Sequence, residues 1–173
     1  MVDGAKTIHM ERSGPFPGRG GDVDVVLELM SHDLDILLQL TQAEVQSVSA
    51  SGQSVMTSHL DQVSARIEFC DGLVADLHAS RIGTERTRRF KVKDRQGMLE
   101  VDLAARRIVR TGVAHPESEK FELESEDPLL DQDRAFVEAL HNGQKPRVDA
   151  QAGRAAVELA SRILECAHSG RAS

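Results

Sequence analysis

Aromatic residues and cysteines are scarce in this sequence. It contains no Trp or Tyr, only five Phe and only two Cys. A buried core must therefore be built from Val, Leu, Ile and Ala, and 173 residues of 40% apolar composition suffice for one such core. Cys70 and Cys166 have no CxxC spacing, so we interpret both as reduced structural thiols rather than as a disulfide or metal knuckle.

The sequence also lacks an excess of basic charge and a long apolar run. Its formal net charge of -7 argues against a phosphate-backbone partner, so no nucleic-acid partner is expected. No stretch approaches the roughly 18 to 20 consecutive apolar residues of a membrane span, and residues 1–14 contain no apolar signal-peptide core. We expect a cytoplasmic protein with no membrane partner.

The first quarter of the chain predicts a strand, a loop and a helix. Loose alternation over residues 5–11 indicates a short strand, and the proline- and glycine-rich residues 10–22 indicate a loop. Apolar residues then recur at helical spacing and predict a helix over residues 23–41, with Asp22 able to cap it.

The remainder predicts a sheet followed by two helices. Residues 44–124 carry about seven short alternating runs, and Asp71-Gly72 is the strongest hairpin signal. Helical periodicity returns over residues 128–169. This segregated order predicts one α+β domain over residues 1–173, a large antiparallel or mixed sheet with helices on one face.

The face of the sheet away from the helices is expected to be apolar. We assign to it more apolar side chains than three helices can cover, which predicts a face-to-face homo-oligomer, a dimer or a tetramer. Exposure of these side chains to solvent is the alternative. The side chains are those of Val74, Ile82, Phe90, Val92 and Leu99.

The helix over residues 23–41 carries a polar stripe. Asp24, Glu28, His32, Asp35 and Gln39 are spaced by three or four residues and fall on one side of an otherwise apolar helix. A carboxylate one turn from an imidazole orients the ring and raises its basicity, so Glu28 and His32 could form a general acid/base pair. The alternative is an ordinary polar stripe facing water.

Three other patterns in the sequence bear on binding chemistry. The remaining histidines show no metal-ligand spacing, so no metal site is expected. The glycine run at 18–21 lacks a phosphate-loop pattern and precedes Asp22 and Asp24, so it predicts no dinucleotide site. A basic cluster could hold a diphosphate or could be the solvated face of a strand pair. It comprises Arg81, Arg86, Arg88, Arg89, Lys91, Lys93 and Arg95.

A family resemblance covers nearly the whole chain. The segment IHMERSGPFPGRGGDVDVVLELMSHDLDILLQL resembles the start of the C-terminal domain of Gfo/Idh/MocA oxidoreductases, around their Asp-x-x-x-His motif. ARIEFCDGLVADLHASRIGTERTRRFKVKDRQGMLEVDL and DRAFVEALHNGQKPRVDAQAGRAAVELASRI extend the likeness. Within the family, the chain looks most like the branch that acts on UDP-linked amino sugars.

The resemblance implies a set of site residues. His32 matches the catalytic histidine of the family, and Glu28 stands where the family usually has Asp, which adds a methylene. Asp35, Arg19 and Arg81 match positions that shape the substrate pocket. The family's Rossmann domain and its catalytic Lys motif have no counterpart in this sequence.

The resemblance therefore implies half of an NAD(P)-dependent sugar or nucleotide-sugar oxidoreductase. NAD or NADP would be bound mainly by a Rossmann domain supplied elsewhere, and this chain alone is expected to bind no cofactor and to be inactive. It could be an excised domain, a split-gene product or a degenerate fragment. The alternative is a non-catalytic oligomerisation or sugar-binding module derived from the family.

Overall fold

The computed structural model describes Gly4 and residues 6–16, 18, 21–112, 115–122, 127–146 and 148–170. Eight strands form one sheet: β1 Thr7–Ser13, β2 Val45–Gln53, β3 Gln62–Phe69, β4 Val74–Ser80, β5 Thr87–Lys93, β6 Gly97–Asp102, β7 Arg107–Gly112 and β8 His115–Glu122. The helices are α1 Ser31–Leu40, α2 Pro128–His141 and α3 Ala150–Ser169, and a π-helical turn, Val26–Met30, leads directly into α1.

The sheet is mixed, in the order β2-β3-β4-β1-β5-β6-β7-β8. β1 is parallel to β4, and every other adjacent pair is antiparallel. The predicted Asp71-Gly72 hairpin joins β3 to β4, with Gly72 at a φ of 83° that favours glycine. The α+β prediction is confirmed, and the seven strands predicted between residues 44 and 124 are β2 to β8.

The π-helical turn, α1 and α3 cover one face of the sheet. Alternate strand residues such as Ile8 and Ile67 meet Leu34 of α1 and Ile163 of α3 in a core of aliphatic side chains. Asp33 in the first turn of α1 binds Arg12 near the end of β1, and the π-helical turn packs against β4. The π-helical turn and the first residues of α1 therefore lie beside these two strands.

The opposite face of the sheet is polar, which corrects the prediction of an apolar face. Phe90, Val92 and Leu99 belong to the hydrophobic core on the helix side, whereas Val74 shares the open face with Asp76 as predicted, and Ile82 lies beyond the end of β4. The register explains this, because Val92 pairs with Ile8 and so shares its face.

The open face instead carries charged and polar side chains. They surround a concave region of about 820 Å³. They include His9, Glu11, Arg66, Asp76, His78, Arg89 and Lys91.

Helix α2 stands apart from the core. Asp127 caps it by accepting from two backbone amides, and Pro128 occupies its first turn, so the helix is locally well specified. Within the described residues of α2, only Ala139 is buried. Phe136 and Val137 are among its exposed apolar side chains, so the three helices do not cover the sheet equally.

The predicted helix over residues 23–41 is shorter in the structure. Helical hydrogen bonding begins with the amides of Leu27 and Glu28, which donate to the carbonyl of Asp24, and the helix starts without a side-chain cap. Among the described helices, none is both long and apolar enough to cross a membrane.

Candidate functional site

A pocket of about 320 Å³ lies where β1 and β4 end. The end of β1, the following loop, the π-helical turn and the segment before β5 all contribute to its wall. Four arginines and one glutamate dominate the lining, which gives the pocket a net positive charge. The lining residues are Arg12, Ser13, Gly14, Pro15, Phe16, Glu28, Leu29, Arg81, Arg86 and Arg88.

Arg81 is the centre of a buried hydrogen-bond network in the wall of this pocket. Its side chain is 1% exposed, and its Nε donates to Asp61 Oδ1 at 2.8 Å. Nη1 donates to the Val23 carbonyl at 2.8 Å and to Glu28 Oε2 at 2.9 Å, while Nη2 donates to Thr57 Oγ1 at 3.0 Å. This guanidinium is hydrogen-bonded to protein groups on all three nitrogens. We therefore interpret Arg81 as a structural part of the pocket wall.

Asp61 is the fully buried counter-ion of Arg81. Burial alone would raise the pKa of the Asp61 carboxyl, but three backbone amides and Arg81 donate hydrogen bonds to it. The amides are those of Val55, Met56 and Thr57, at 2.7 to 2.9 Å. Together these bonds hold the pKa of Asp61 well below its ordinary range, so the group is ionised at neutral pH.

Glu28 and His32 do not form the pair that their spacing predicted. Glu28 binds Arg81, and no hydrogen bond or ion pair joins Glu28 to His32, both of which the structure describes. The reason lies in the π-helical turn, where the amide of Ser31 donates to the carbonyl of Val26. This i→i+5 bonding widens the turn, so α-helical i,i+4 geometry does not apply between Glu28 and His32.

His32 is exposed at the start of α1, next to the arginines of the pocket. Packing around the ring lowers the pKa of the His32 imidazole below its ordinary value, and the charges of Arg12 and Arg88 lower it further. Asp33 and Asp35 oppose this shift. The imidazole is therefore mostly neutral at pH 7 and able to accept a proton.

A buried ion pair lies directly beside His32. Arg12 donates from Nε to both carboxylate oxygens of Asp33 at 3.0 Å and from Nη2 to Oδ1 at 2.6 Å. Arg88 lies opposite Arg12 in the β1–β5 register and shares its face. Among the residues that the structure describes, neither Arg86 nor Arg88 forms an ion pair.

Arg88 is held in a positive environment. Burial lowers the pKa of the Arg88 guanidinium, and the neighbouring charges of Arg12 and Arg86 lower it further, against the opposing effect of Asp33. One buried carboxylate thus lies among three arginines. An anionic ligand bound here would gain charge-assisted hydrogen bonds and relieve the repulsion between the cations.

The other predicted site residues are only partly brought together. Asp35 accepts a hydrogen bond of 2.9 Å from Gln39 and lines a separate cavity of about 610 Å³ between α1 and α2. It still influences the pKa of His32. Arg19 lies outside the described residues.

Two described residues, Gly21 and Asp24, precede the helix beside the pocket. Asp24 Oδ1 accepts from the Leu60 amide at 2.6 Å, so a carboxylate occupies the start of the helix. Gly21 lies close to Phe16, where a Cβ would approach Phe16 Cζ to 3.2 Å. The glycine here permits loop packing beside the pocket. Within the described part of the chain, no three potential metal ligands cluster.

Sequence reasoning missed Arg12, Asp33 and Asp61 and did not predict that Arg81 is buried. The alternation of buried and exposed residues along the strands could have indicated that Arg12, Asp61 and Arg81 are buried. Arg12 continues the buried series of β1 after Ile8 and Met10, and Asp61 and Arg81 extend those of β3 and β4. A charged residue in phase with buried apolar residues indicates a buried ion pair.

Comparison with known proteins identifies the family of the chain. Residues 13–100 match the GFO/IDH/MocA C-terminal domain. The chain is 30% identical over 164 residues to the UDP-N-acetylglucosamine 3-dehydrogenase of Acidithiobacillus ferrooxidans, covering 90% of this chain and 52% of that protein. It therefore spans about half the length of this curated relative.

Solved structures share the fold. A crystal form of the Acidithiobacillus ferrooxidans enzyme superposes with a TM-score of 0.90 at 29% identity, over 96% of this chain and 55% of that one. The WlbA dehydrogenase of Bordetella pertussis, solved with NADH and UDP-GlcNAcA, shares the fold at 15% identity with a TM-score of 0.73, over 97% and 53%. The chain belongs to the GFO/IDH/MocA family of oxidoreductases and corresponds to its C-terminal domain.

Proposed function

We propose that this chain is the substrate-binding and proton-transferring half of an NAD(P)-dependent oxidoreductase that acts on a hydroxyl of a nucleotide sugar. The observation that carries the proposal is the arginine-lined pocket beside His32. Cationic guanidinium groups suit a diphosphate, and the adjacent neutral imidazole suits a sugar hydroxyl. The similarity to a UDP-N-acetylglucosamine 3-dehydrogenase supports the same substrate class.

In this proposal His32 is the proton acceptor. As the hydroxyl carbon is oxidised to a carbonyl, the hydroxyl proton passes to the imidazole of His32. The hydride from the same carbon requires an acceptor, which we assign to a nicotinamide. Glu28 contributes indirectly, because its carboxylate fixes Arg81 in the pocket wall.

Arg86 and Arg88 are the proposed anion-binding groups. Arg12 and Arg81 are already bound to buried carboxylates, whereas Arg88 is half-buried and Arg86 is exposed at the rim. A diphosphate reaching into the pocket would meet these two side chains without breaking an existing ion pair. Asp35 and Arg19 remain predicted substrate-pocket residues.

We propose that a separate Rossmann domain binds the cofactor. The carboxylate of Asp24 at the glycine-rich segment disfavours a pyrophosphate there. The exposed apolar side chains of α2, which include Phe136 and Val137, offer a surface that a second domain could cover. The chain also matches only 52% of its curated relative's length.

We further propose that two copies of the chain associate through the open face of the sheet. Arg66 forms an ion pair of 2.9 Å with Asp76 on this face, and Lys91 pairs with Glu100 at 3.1 Å. Charges of both signs, interspersed on one surface, can complement a symmetric copy.

Calorimetric titration tests the substrate assignment. UDP-N-acetylglucosamine, UDP and N-acetylglucosamine would each be titrated into the wild type, Arg88→Gln and Arg154→Gln. Because a hydrogen bond to a charged group contributes about 1.5 to 3 kcal/mol, Arg88→Gln should weaken the two diphosphate ligands by about tenfold or more. Arg154, whose side chain is 79% exposed on α3, is the matched control and should have no effect. Equal binding by wild type and Arg88→Gln would exclude this pocket as the diphosphate site.

A further inference from the structure

The buried ion pair between Arg12 and Asp33 joins β1 to the first turn of α1. Both side chains are less than a tenth exposed, and three donor–acceptor contacts of 2.6 to 3.0 Å fix their relative orientation. Asp33 follows His32 directly in the chain. The position of the His32 backbone is therefore tied to β1 through one buried contact.

We propose that Arg12 and Asp33 are positioning residues for His32, holding the imidazole near the arginines that line the pocket. The proposal rests on the proposed role of His32 in proton transfer. It identifies the two residues that hold His32 in place for that role. Neither residue needs to touch the substrate. Asp33 anchors the helix turn, and Arg12 both anchors Asp33 and lines the pocket wall.

The same pair sets the charge that surrounds the imidazole. Charged groups act on His32 from three elements: Arg12 on β1, Arg88 on β5, and Asp33 and Asp35 on α1. After burial, Arg12 has the largest influence on the pKa of His32 and lowers it, while Asp33 raises it. The positive charge of Arg12 favours the neutral imidazole, which is the form that accepts a proton.

The pairing of Arg12 with Asp33 balances two opposing charges near the imidazole. With Asp33 unpaired, its full negative charge next to the ring would favour the protonated imidazole. With Arg12 unpaired, a buried cation would be left without a partner, which is costly. The bidentate pair offsets the negative charge of Asp33 and gives the buried Arg12 a partner. It also keeps the helix turn at a fixed distance from the sheet.

Histidine ring NMR titration tests the proposal without requiring enzyme activity. The resonance of His32 is assigned by its loss in His32→Gln, and its pKa is followed in Arg12→Gln, Asp33→Asn and the double variant. Arg12→Gln should raise the pKa of His32, and Asp33→Asn should lower it. The double variant, which replaces the ion pair by two neutral amides, removes both opposing charges, so its pKa for His32 should lie between those of the single variants.

Opposite shifts separate positioning from general damage. Partial unfolding would move the pKa of His32 towards its unfolded value, which is upwards in every variant. Arg154→Gln, on the exposed face of α3, should leave it unchanged. If Arg12→Gln does not fold, Asp33→Asn still tests the proposal, because its expected downward shift is opposite to that of unfolding. An upward shift in folded Asp33→Asn, or no shift in folded Arg12→Gln and Asp33→Asn, would overturn the proposal.

The proposed nucleotide-sugar substrate and the proposed positioning role of Arg12 and Asp33 can be tested separately. Binding of UDP-N-acetylglucosamine, measured on the same samples, reports on the pocket and not on the ionisation of His32. Opposite pKa shifts in a chain that binds no nucleotide sugar would support the positioning role and refute the proposed substrate class.

Discussion

The guanidinium of Arg81 binds the carboxylate of Glu28 at 2.9 Å across 53 residues of sequence. The same guanidinium binds Asp61, so one buried cation joins the π-helical turn to the segment that precedes β3. Arg81, Glu28 and Asp61 thus form a structural network in the pocket wall. Their charges are paired with one another without a ligand. Arg86 and Arg88 are therefore the arginines available to bind a ligand.

Removal of the Asp61 carboxylate should strongly destabilise the chain. Asp61→Asn leaves the buried Arg81 guanidinium without its main counter-ion, and breaking a buried ion pair from one side costs about 3 to 5 kcal/mol. Chemical denaturation of the two proteins measures the difference in the free energy of unfolding. A matched surface change, Glu158→Gln in the exposed pair with Arg154, should alter it by less than about 0.5 kcal/mol. A loss below about 1 kcal/mol for Asp61→Asn would contradict the proposed network.

Acid should destabilise the wild type through the same carboxylate. Hydrogen bonds lower the pKa of Asp61 in the folded state, so the unfolded chain takes up this proton first as the pH falls. The stabilisation is complete above about pH 4, the ordinary range of Asp, and is lost progressively at lower pH. Denaturation at several pH values between neutral and acid should show a shallower decline for Asp61→Asn. Parallel pH profiles would contradict this assignment.

The alternation of residues along the strands was sufficient to predict the sheet. It was not sufficient to predict the partners of the charged residues. Turn signals such as Asp71-Gly72 predicted local hairpins correctly because both strands lie close in sequence. The pairs of Arg12 with Asp33 and of Arg81 with Asp61 span 21 and 20 residues and depend on how helices and strands pack. No local pattern specifies such a pair.

The open face illustrates the same limit. Phe90, Val92 and Leu99 were assigned to the wrong side because strand register decides which face a run presents. A displacement by one residue reverses every side chain, and the pairing of Val92 with Ile8 is known only from the folded sheet. The π-helical turn that carries Glu28 was likewise not predicted, because apolar periodicity indicates a regular α-helix.

Apolar side chains on α2 and α3 should differ sharply in their contribution to stability. Phe136→Ala should change the free energy of unfolding by less than about 0.5 kcal/mol, because Phe136 is exposed on α2. Ile163→Ala should cost about 2 to 5 kcal/mol, because Ile163 is fully buried in the core. Thermal or urea denaturation measures both. A large loss for Phe136→Ala would show that α2 packs against the rest of this chain.

Self-association through the open face should depend on the charges of Arg66 and Asp76. Arg66→Glu places two acidic groups together and should shift the chain towards the monomer, whereas the exchange Arg66→Asp with Asp76→Arg should restore association. Sedimentation velocity at low and high salt measures the distribution, and high salt should favour the monomer. An oligomer that neither salt nor Arg66→Glu affects would have to use another surface.

Titration of the purified wild-type chain with UDP-N-acetylglucosamine and, separately, with NADH tests the central claim most directly. We expect the chain to bind the nucleotide sugar, with His32→Ala weakening that binding, and to show no binding of NADH. Binding of NADH by the chain alone, or no binding of the nucleotide sugar, would contradict its assignment as the substrate half of a dehydrogenase.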